Sequence, residues 1–358
     1  MLRGSTKISG RLAGSRDRPR ILIVDDSVVA RAVIARAIDG TGRFVVAGAV
    51  PHAKAALAFL ATQHVDGILL DIEMPGVDGL TALPDLIAAG EGAKVLVVSS
   101  ACSDGAAATI EALSLGAADT LVKPDIGDFA GRFSALLDEK LSRLFETVPP
   151  ATAPSARPIS TDRAAGGFDI VAIGASTGGI HALSQLLREI PASFPLPILI
   201  TQHLPDSFMP YFAAQVAVLA GRPCEVATDS MRIRPGRVIV APGTAHIRVV
   251  STSDGAAIRL STEPAKSGCM PSVDPMFDSL AEVFGARALG IVLSGMGRDG
   301  SEGAQRIIDR GGSIVVQDQA SSVVWGMPGA IATNGTACAI MPPTEIGKLV
   351  AARRRPGC

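Results

Sequence analysis

From Arg20 the chain alternates short, β-branched apolar runs with amphipathic stretches: ILIVDD, VARAVIARAI, FVVAGAV, AALAFLA and VDGILLDI, then VLVVSS and TLVKP, to about Leu144. The first kind of run suits a buried strand and the second repeats its apolar positions at helical spacing. Strands alternating with helices predict a parallel α/β sheet with right-handed crossovers. A second series begins at Asp169: DIVAIGA, the helical IHALSQLLREI, then PILITQH, RVIVAP, ALGIVLSGM and SIVVQD. Between the two, residues 145–168 are dense in Pro, Ala, Ser and Thr without an apolar period, which reads as a linker. Residues 1–18 read as a disordered leader and 352–358, with Arg353 to Arg355, as a solvated tail. The fold expected is α/β throughout, as two doubly wound parallel-sheet domains over 19–144 and 169–351.

Composition narrows the class. Of 358 residues, 47% are hydrophobic but only 4% aromatic, so the cores must be built from Ala, Val, Ile and Leu, as buried parallel strands are. A net charge of −1 supplies no global field toward nucleic acid or an anionic membrane. No apolar stretch has signal-peptide or membrane-spanning length, so a soluble protein is expected, without direct membrane insertion. The five cysteines are scattered and form no CxxC pair, which argues against a disulfide framework or structural zinc and fits a reducing cytoplasm.

Chemistry concentrates at predicted strand ends. Asp25 and Asp26 close the first strand and Asp71 closes ILLD. In a parallel sheet such residues converge on one edge. Like charges packed together call for a hard cation, so a Mg²⁺ site is expected at Asp25, Asp26 and Asp71. Ser99 and Lys123 end later strands and would bring a hydroxyl and an ammonium to that edge, a set able to hold a phosphoryl group on a carboxylate.

Over residues 20–140 the chain resembles the response-regulator receiver family, through DDS at Asp25 to Ser27, LLDIEMPGVDG around Asp71, Ser99 and the Lys123-Pro124 pair. The resemblance implies a flavodoxin-like domain in which Asp71 accepts phosphate from a histidine kinase, Asp25 and Asp26 help to hold Mg²⁺, and Ser99 and Lys123 support the site. One position departs from the pattern. Where the family usually carries Tyr or Phe, three residues before the lysine, this chain has Thr120.

In the second half DIVAIGA runs into GASTGG and then into a helix. A serine on a Gly-flanked strand-to-helix turn can expose its hydroxyl beside helix N-terminal amides, which makes Ser176 a candidate nucleophile. The loop by itself also admits a phosphate cradle or a plain turn, although it lacks the P-loop ending GK[ST]. Among the histidines His203 ends the strand PILITQH, at the same expected edge as Ser176, whereas His181 and His246 do not. An acid to orient the imidazole would be Asp299 in LSGMGRDG, with Asp274 in PSVDP the competitor, read as a Pro-flanked loop shaping the cleft.

From about Asp169 to Ala351 the chain resembles the catalytic domain of the CheB-type chemotaxis protein-glutamate methylesterases, in GASTGG, ITQHLP, VIVAPGTAHI, PSVDPMFDSLA, VLSGMGRDG and VVWGMPGAI. That resemblance implies a Rossmann-like serine hydrolase in which Ser176 attacks, His203 is the base and Asp299 orients it, with Thr177 and the Met296 amide near the oxyanion. It also implies phosphorylation-activated demethylation and deamidation of receptor side chains, chemoreceptor cytoplasmic helices as substrate, a chemotaxis kinase as phosphodonor and no cofactor for the esterase step. A DNA-binding output would show a helix-turn-helix with clustered Lys and Arg, and residues 169–351 show neither.

Overall fold

A computed structural model describes residues 18–99, 103–123, 132–145 and 167–358. The first sheet is built from β1 (Arg20–Val24), β2 (Val45–Val50), β3 (Gly67–Asp71), β4 (Lys94–Ser99) and β5 (Asp119–Val122). Its helices are α1 (Val28–Thr41), α2 (Ala53–Leu60), α3 (Gly79–Ala89), α4 (Ser103–Leu115) and α5 (Arg132–Phe145). Strand order is β2-β1-β3-β4-β5, all parallel, so the chain reverses direction across the sheet between β1 and β3. A crevice opens at the strand C-termini on either side of such a reversal. That is where Asp25 and Asp71 lie.

The second sheet runs β14-β13-β12-β6-β7-β9-β8 and is also parallel. Its strands are β6 (Ile170–Ala175), β7 (Ile198–Gln202), β8 (Cys224–Val226), β9 (Val238–Val240), β12 (Ala288–Val292), β13 (Ser313–Gln317) and β14 (Ala339–Met341). An antiparallel hairpin, β10 (His246–Thr252) with β11 (Gly255–Ser261), stands apart from it. Around these pack α6 (Gly179–Arg188), α7 (Met209–Ala220), α8 (Val273–Phe284), α9 (Ser301–Asp309), α10 (Met327–Thr333) and α11 (Pro343–Ala351). Here the reversal falls between β6 and β12. Ser176 follows β6, His203 follows β7 and Asp299 lies beyond β12, so the topology brings three distant segments to one edge.

The central strands of the second sheet are largely apolar because both of its faces are covered: β6, β7, β12 and β13 are buried at every position. The two sheets do not sit apart. Helix α4 packs on α6 and α7, and one apolar core runs from Leu83 and Ile110 on the first side to Leu183 and Phe212 on the second. Polar contacts stitch the same seam. The Ser114 carbonyl accepts from Ser184 Oγ (3.2 Å) and faces His181 Nδ1 (3.0 Å), Gln215 Nε2 donates to Ser114 Oγ (3.1 Å), and Lys94 Nζ donates to the Val323 carbonyl (3.0 Å).

Three readings from the sequence are corrected. The tail is solvated at Arg353 and Arg354 but docked beyond them: Arg355 Nε donates to Ser313 Oγ (2.8 Å), which itself donates to the Pro356 carbonyl (3.0 Å), and Pro356 is buried. Cys338 and Cys358 are joined in a disulfide that the absence of a CxxC pair did not foretell. Phe168, placed in the linker, is a fully buried core side chain. The leader through residue 17 and the linker residues 146–166 lie outside the described residues.

Candidate active site and receiver site

Two sheet edges carry the candidate chemistry. At the first, Asp25 and Asp71 are almost fully buried while Asp26 is exposed, and ligand oxygens of all three come within 4.8 Å of one another. Lys123 Nζ donates to Asp71 Oδ2 at 2.6 Å and lies 3.5 Å from Asp25 Oδ2. Burial disfavours the lysine's charge, but the bond to Asp71 and the two carboxylate charges outweigh it and raise the Lys123 pKa. Burial raises the Asp71 pKa against the lowering effect of Lys123. Ser99, at the end of β4, is buried and accepts from Thr109 Oγ1 at 2.9 Å. Thr120, one strand over, keeps a buried hydroxyl that makes no hydrogen bond.

At the second edge the backbone turns sharply after β6. Gly178 caps α6 with φ of +74°, a left-handed conformation that a side chain resists, and it lets the helix start directly beyond Ser176. Ser176 N donates to the Ser294 carbonyl (3.0 Å) and the Ser176 carbonyl accepts from Gln202 Nε2 (3.0 Å), which fixes the turn from two neighbouring strands. Gly295 allows the close approach, since a Cβ there would run into Ser176 Cβ and Met327 Sδ. Met296, the next residue, packs partly buried against the first domain's core, and the Thr177 carbonyl accepts from Ser294 Oγ (2.8 Å).

His203 Nε2 bonds Asp299 Oδ2 at 2.8 Å. Asp299 is 2% exposed, and its oxygens also accept from Ser272 Oγ (2.6 Å) and from the amides of Val273 (2.8 Å) and Gly300 (3.1 Å). Burial works against that carboxylate, but the His203 bond and charge, Ser272 and the Val273 amide outweigh it and hold its pKa at about 2. Burial likewise lowers the His203 pKa, and the bonds and charges of Asp299 and Cys269 overcome this and raise it to about 9. With Nε2 occupied, Nδ1 is the ring nitrogen left for a substrate proton. Ser176 and His203 line one cleft of ≈ 300 Å³, whose walls also include Asp119, Lys140 and Arg143 from the first domain. No bond joins the hydroxyl to the imidazole in this state; catalytic contacts of this kind often tighten only around substrate.

Asp274 makes no bond to His203 and does not lie in a loop. It sits in the first turn of α8, accepts from the Gly303 amide (2.8 Å) and lines a separate cleft with Arg248 and Arg306. His246 is buried, and its Nδ1 accepts from the Ser272 amide at 2.8 Å. The sequence reading missed Ser272, the Val273 amide, Gln202 and Cys269. PSVDP held the first two in plain view, but nothing local pairs them with a carboxylate 26–27 residues away.

Comparison with known proteins agrees with this geometry. The CheB methylesterase family matches residues 171–350 and the response regulator receiver domain family matches 21–130. The chain belongs to the CheB methylesterase family. It is 40% identical to protein-glutamate methylesterase/protein-glutamine glutaminase 2 of Caulobacter vibrioides, over 94% of this chain and 99% of that protein. It is 37% identical to the methylesterase/glutaminase of the group 2 operon of Rhodospirillum centenum, over 98% of each. The crystal structure of the Thermotoga maritima CheB methylesterase catalytic domain superposes with a TM-score of 0.51 at 29% identity, covering 52% of this chain and 99% of that one.

The base expected at His203 must be neutral to accept a proton, so its raised pKa moves the expected acid limb of the rate profile to higher pH. Activity is expected to rise with pH through a midpoint above 6.5, toward about 9. Asp299→Asn should bring that midpoint down. A wild-type limb centred at or below 6.5 would contradict the pairing.

Proposed function

We propose that the chain hydrolyses glutamate γ-methyl esters, and deamidates glutamines, on the cytoplasmic helices of chemoreceptors, under control of phosphorylation at Asp71. The observation that carries the chemistry is the His203–Asp299 bond of 2.8 Å at the crevice that Ser176 lines. Ser176 Oγ attacks the ester carbonyl while His203 takes its proton, giving a tetrahedral oxyanion. The amides at the start of α6, Thr177 and the Met296 amide are the donors proposed for that charge. His203 then returns the proton to the leaving methoxide, methanol departs, and the acyl group remains on Ser176. Water, deprotonated by the same imidazole, releases the glutamate carboxylate and restores the serine. For a glutamine the leaving group is ammonia. Asp299 keeps one imidazole orientation throughout and balances the imidazolium that forms at each step.

In the first domain the phosphodonor is proposed to be a chemotaxis histidine kinase. Asp71 is the acceptor, and Lys123 lies 2.6 Å from its Oδ2, within reach of the charge that a phosphoryl group would bring. The residues fit a Mg²⁺ ion: the donor set is all carboxylate oxygen, and buried Asp25 Oδ2 makes no hydrogen bond. Asp25, Asp26 and Asp71 would hold the ion, which supplies charge neutralisation for the phosphoryl group. Control is proposed to pass through the seam. The Gly178 amide, next to the nucleophile turn, donates to the Ala118 carbonyl (3.0 Å), and Thr177 Oγ1 reaches Asp119 Oδ2 (3.4 Å), itself paired with Lys140 (3.0 Å). In this state the first domain closes one side of the cleft and uses polar groups of the turn that the chemistry needs.

Among the described residues no helix is long and apolar enough to cross a membrane, so receptor helices would have to be met from solution. The test is release of labelled methanol from methylated receptor membranes by the purified chain. Release that depends on Ser176 supports the reading, and its absence under phosphodonor would remove it.

A further inference from the structure

Beside the proposed triad lies a group that ester hydrolysis does not require. Cys269 is an unpaired, half-buried thiol in the segment leading to α8, and it lines the cleft with Ser176 and His203. A His203 nitrogen, the Cys269 sulfur and an Asp299 oxygen all lie within 4.8 Å of one another. The three come from separate segments: the end of β7, the approach to α8 and the loop beyond β12. Imidazole, thiolate and carboxylate together suit a borderline-soft, tetrahedral cation of the zinc class, whereas the all-oxygen set at Asp71 suits a hard one.

We propose that His203, Cys269 and Asp299 form an inhibitory site for a thiophilic divalent cation. The cation replaces the proton that His203 Nε2 and Asp299 Oδ2 now share at 2.8 Å. Zinc legs of about 2.0–2.2 Å at a tetrahedral angle span roughly 3.4 Å, so the imidazole must yield by roughly half an ångström. Two protons leave to solvent, one from the Cys269 thiol and one from Nε2 of the protonated imidazole, which keeps its proton on Nδ1. The charges then balance: a dication against one thiolate and one carboxylate, with a neutral imidazole. Water would complete the shell in the fourth position. The Asp299 cage of Ser272 and Gly300 donors on Oδ1 leaves that ligand held in place. Binding rests on the donor set alone. Inhibition rests on the reading of His203 as base, because an imidazole bound through Nε2 presents Nδ1–H to Ser176 and cannot accept its proton.

The experiment titrates the intact chain with Co²⁺, a spectroscopic stand-in for Zn²⁺, and follows the thiolate-to-cobalt charge-transfer band. The band is expected in the wild type and in Cys102→Ser, Cys224→Ser, Cys358→Ser and Asp71→Ala, and is lost in Cys269→Ser. A wild type without the band at saturating Co²⁺, or a Cys269→Ser variant that keeps it, overturns the site. In parallel, Zn²⁺ inhibition of methanol release is measured for each variant against its own rate under chelator. Cys269→Ser should raise the half-inhibiting concentration by at least about tenfold. A Cys269-dependent band with no Zn²⁺ effect on release overturns the inhibitory role and the assignment of His203 as base, and leaves the binding site standing.

Discussion

Ser176→Ala is expected to lower methanol release by about 10⁴-fold or more while the protein stays folded. The rate falls because no other hydroxyl on the nucleophile turn takes the place at the strand end: Thr177 Oγ1 is directed to Asp119. Stability is expected to hold within about 0.5 kcal/mol, since Ser176 is held through its backbone groups and not its hydroxyl. The Ser176 amide donates to Ser294 and its carbonyl accepts from Gln202, and alanine keeps both. A folded variant with more than a few per cent of wild-type turnover would remove Ser176 from the mechanism.

Asp299 is expected to be nearly as costly, and in two ways. With Asp299→Ala the imidazole loses the acceptor that fixes its orientation, and loss of an orienting acid of this kind costs up to about 10⁴ in turnover. The same change strands Ser272 Oγ and the Val273 amide, both buried, without their acceptor. A buried donor left unpaired costs about 1–3 kcal/mol, so a fall in melting temperature should accompany the fall in rate. Asp299→Asn preserves shape and one acceptor, which separates the effects: most of the stability returns and most of the rate does not. Turnover near wild type in a folded Asp299→Asn would show that the carboxylate is structural only.

Much of this arrangement was legible in the chain because parallel sheets advertise themselves. Each fully covered strand must be apolar, so the last strand residue and the polar one after it stand out, as at Asp71, Lys123 and His203. The reversal of strand order then gathers such ends without further information. What stayed hidden depended on distance or on local disguise. The two prolines of PSVDP argued for a loop, yet Pro275 lies within the first helical turn, where its missing amide costs nothing, and Asp274 therefore belongs to α8. The Ser272 clamp on Asp299, the docking of Arg355 on Ser313 and the Cys338–Cys358 bond each join residues far apart in sequence, with no periodicity to announce them. The hydrogen bonds of the seam between the domains, at Ser114, Ala118 and Asp119, have no sequence signature.

A Ser176 esterase restrained by the domain that carries Asp71 must respond to phosphorylation there. The most direct test is the initial rate of labelled methanol release from methylated receptor membranes by the intact chain, before and after a small-molecule phosphodonor with Mg²⁺. The same rate is taken for the Asp71→Ala variant and for the fragment 160–358. Coupling free energies between sites of about 1–3 kcal/mol correspond to roughly 5- to 150-fold. A rise in that range is expected for the intact chain on addition of phosphodonor, toward the rate of the fragment, and no rise for Asp71→Ala. Equal rates for fragment and unphosphorylated chain, or a phosphodonor response that survives Asp71→Ala, would contradict it.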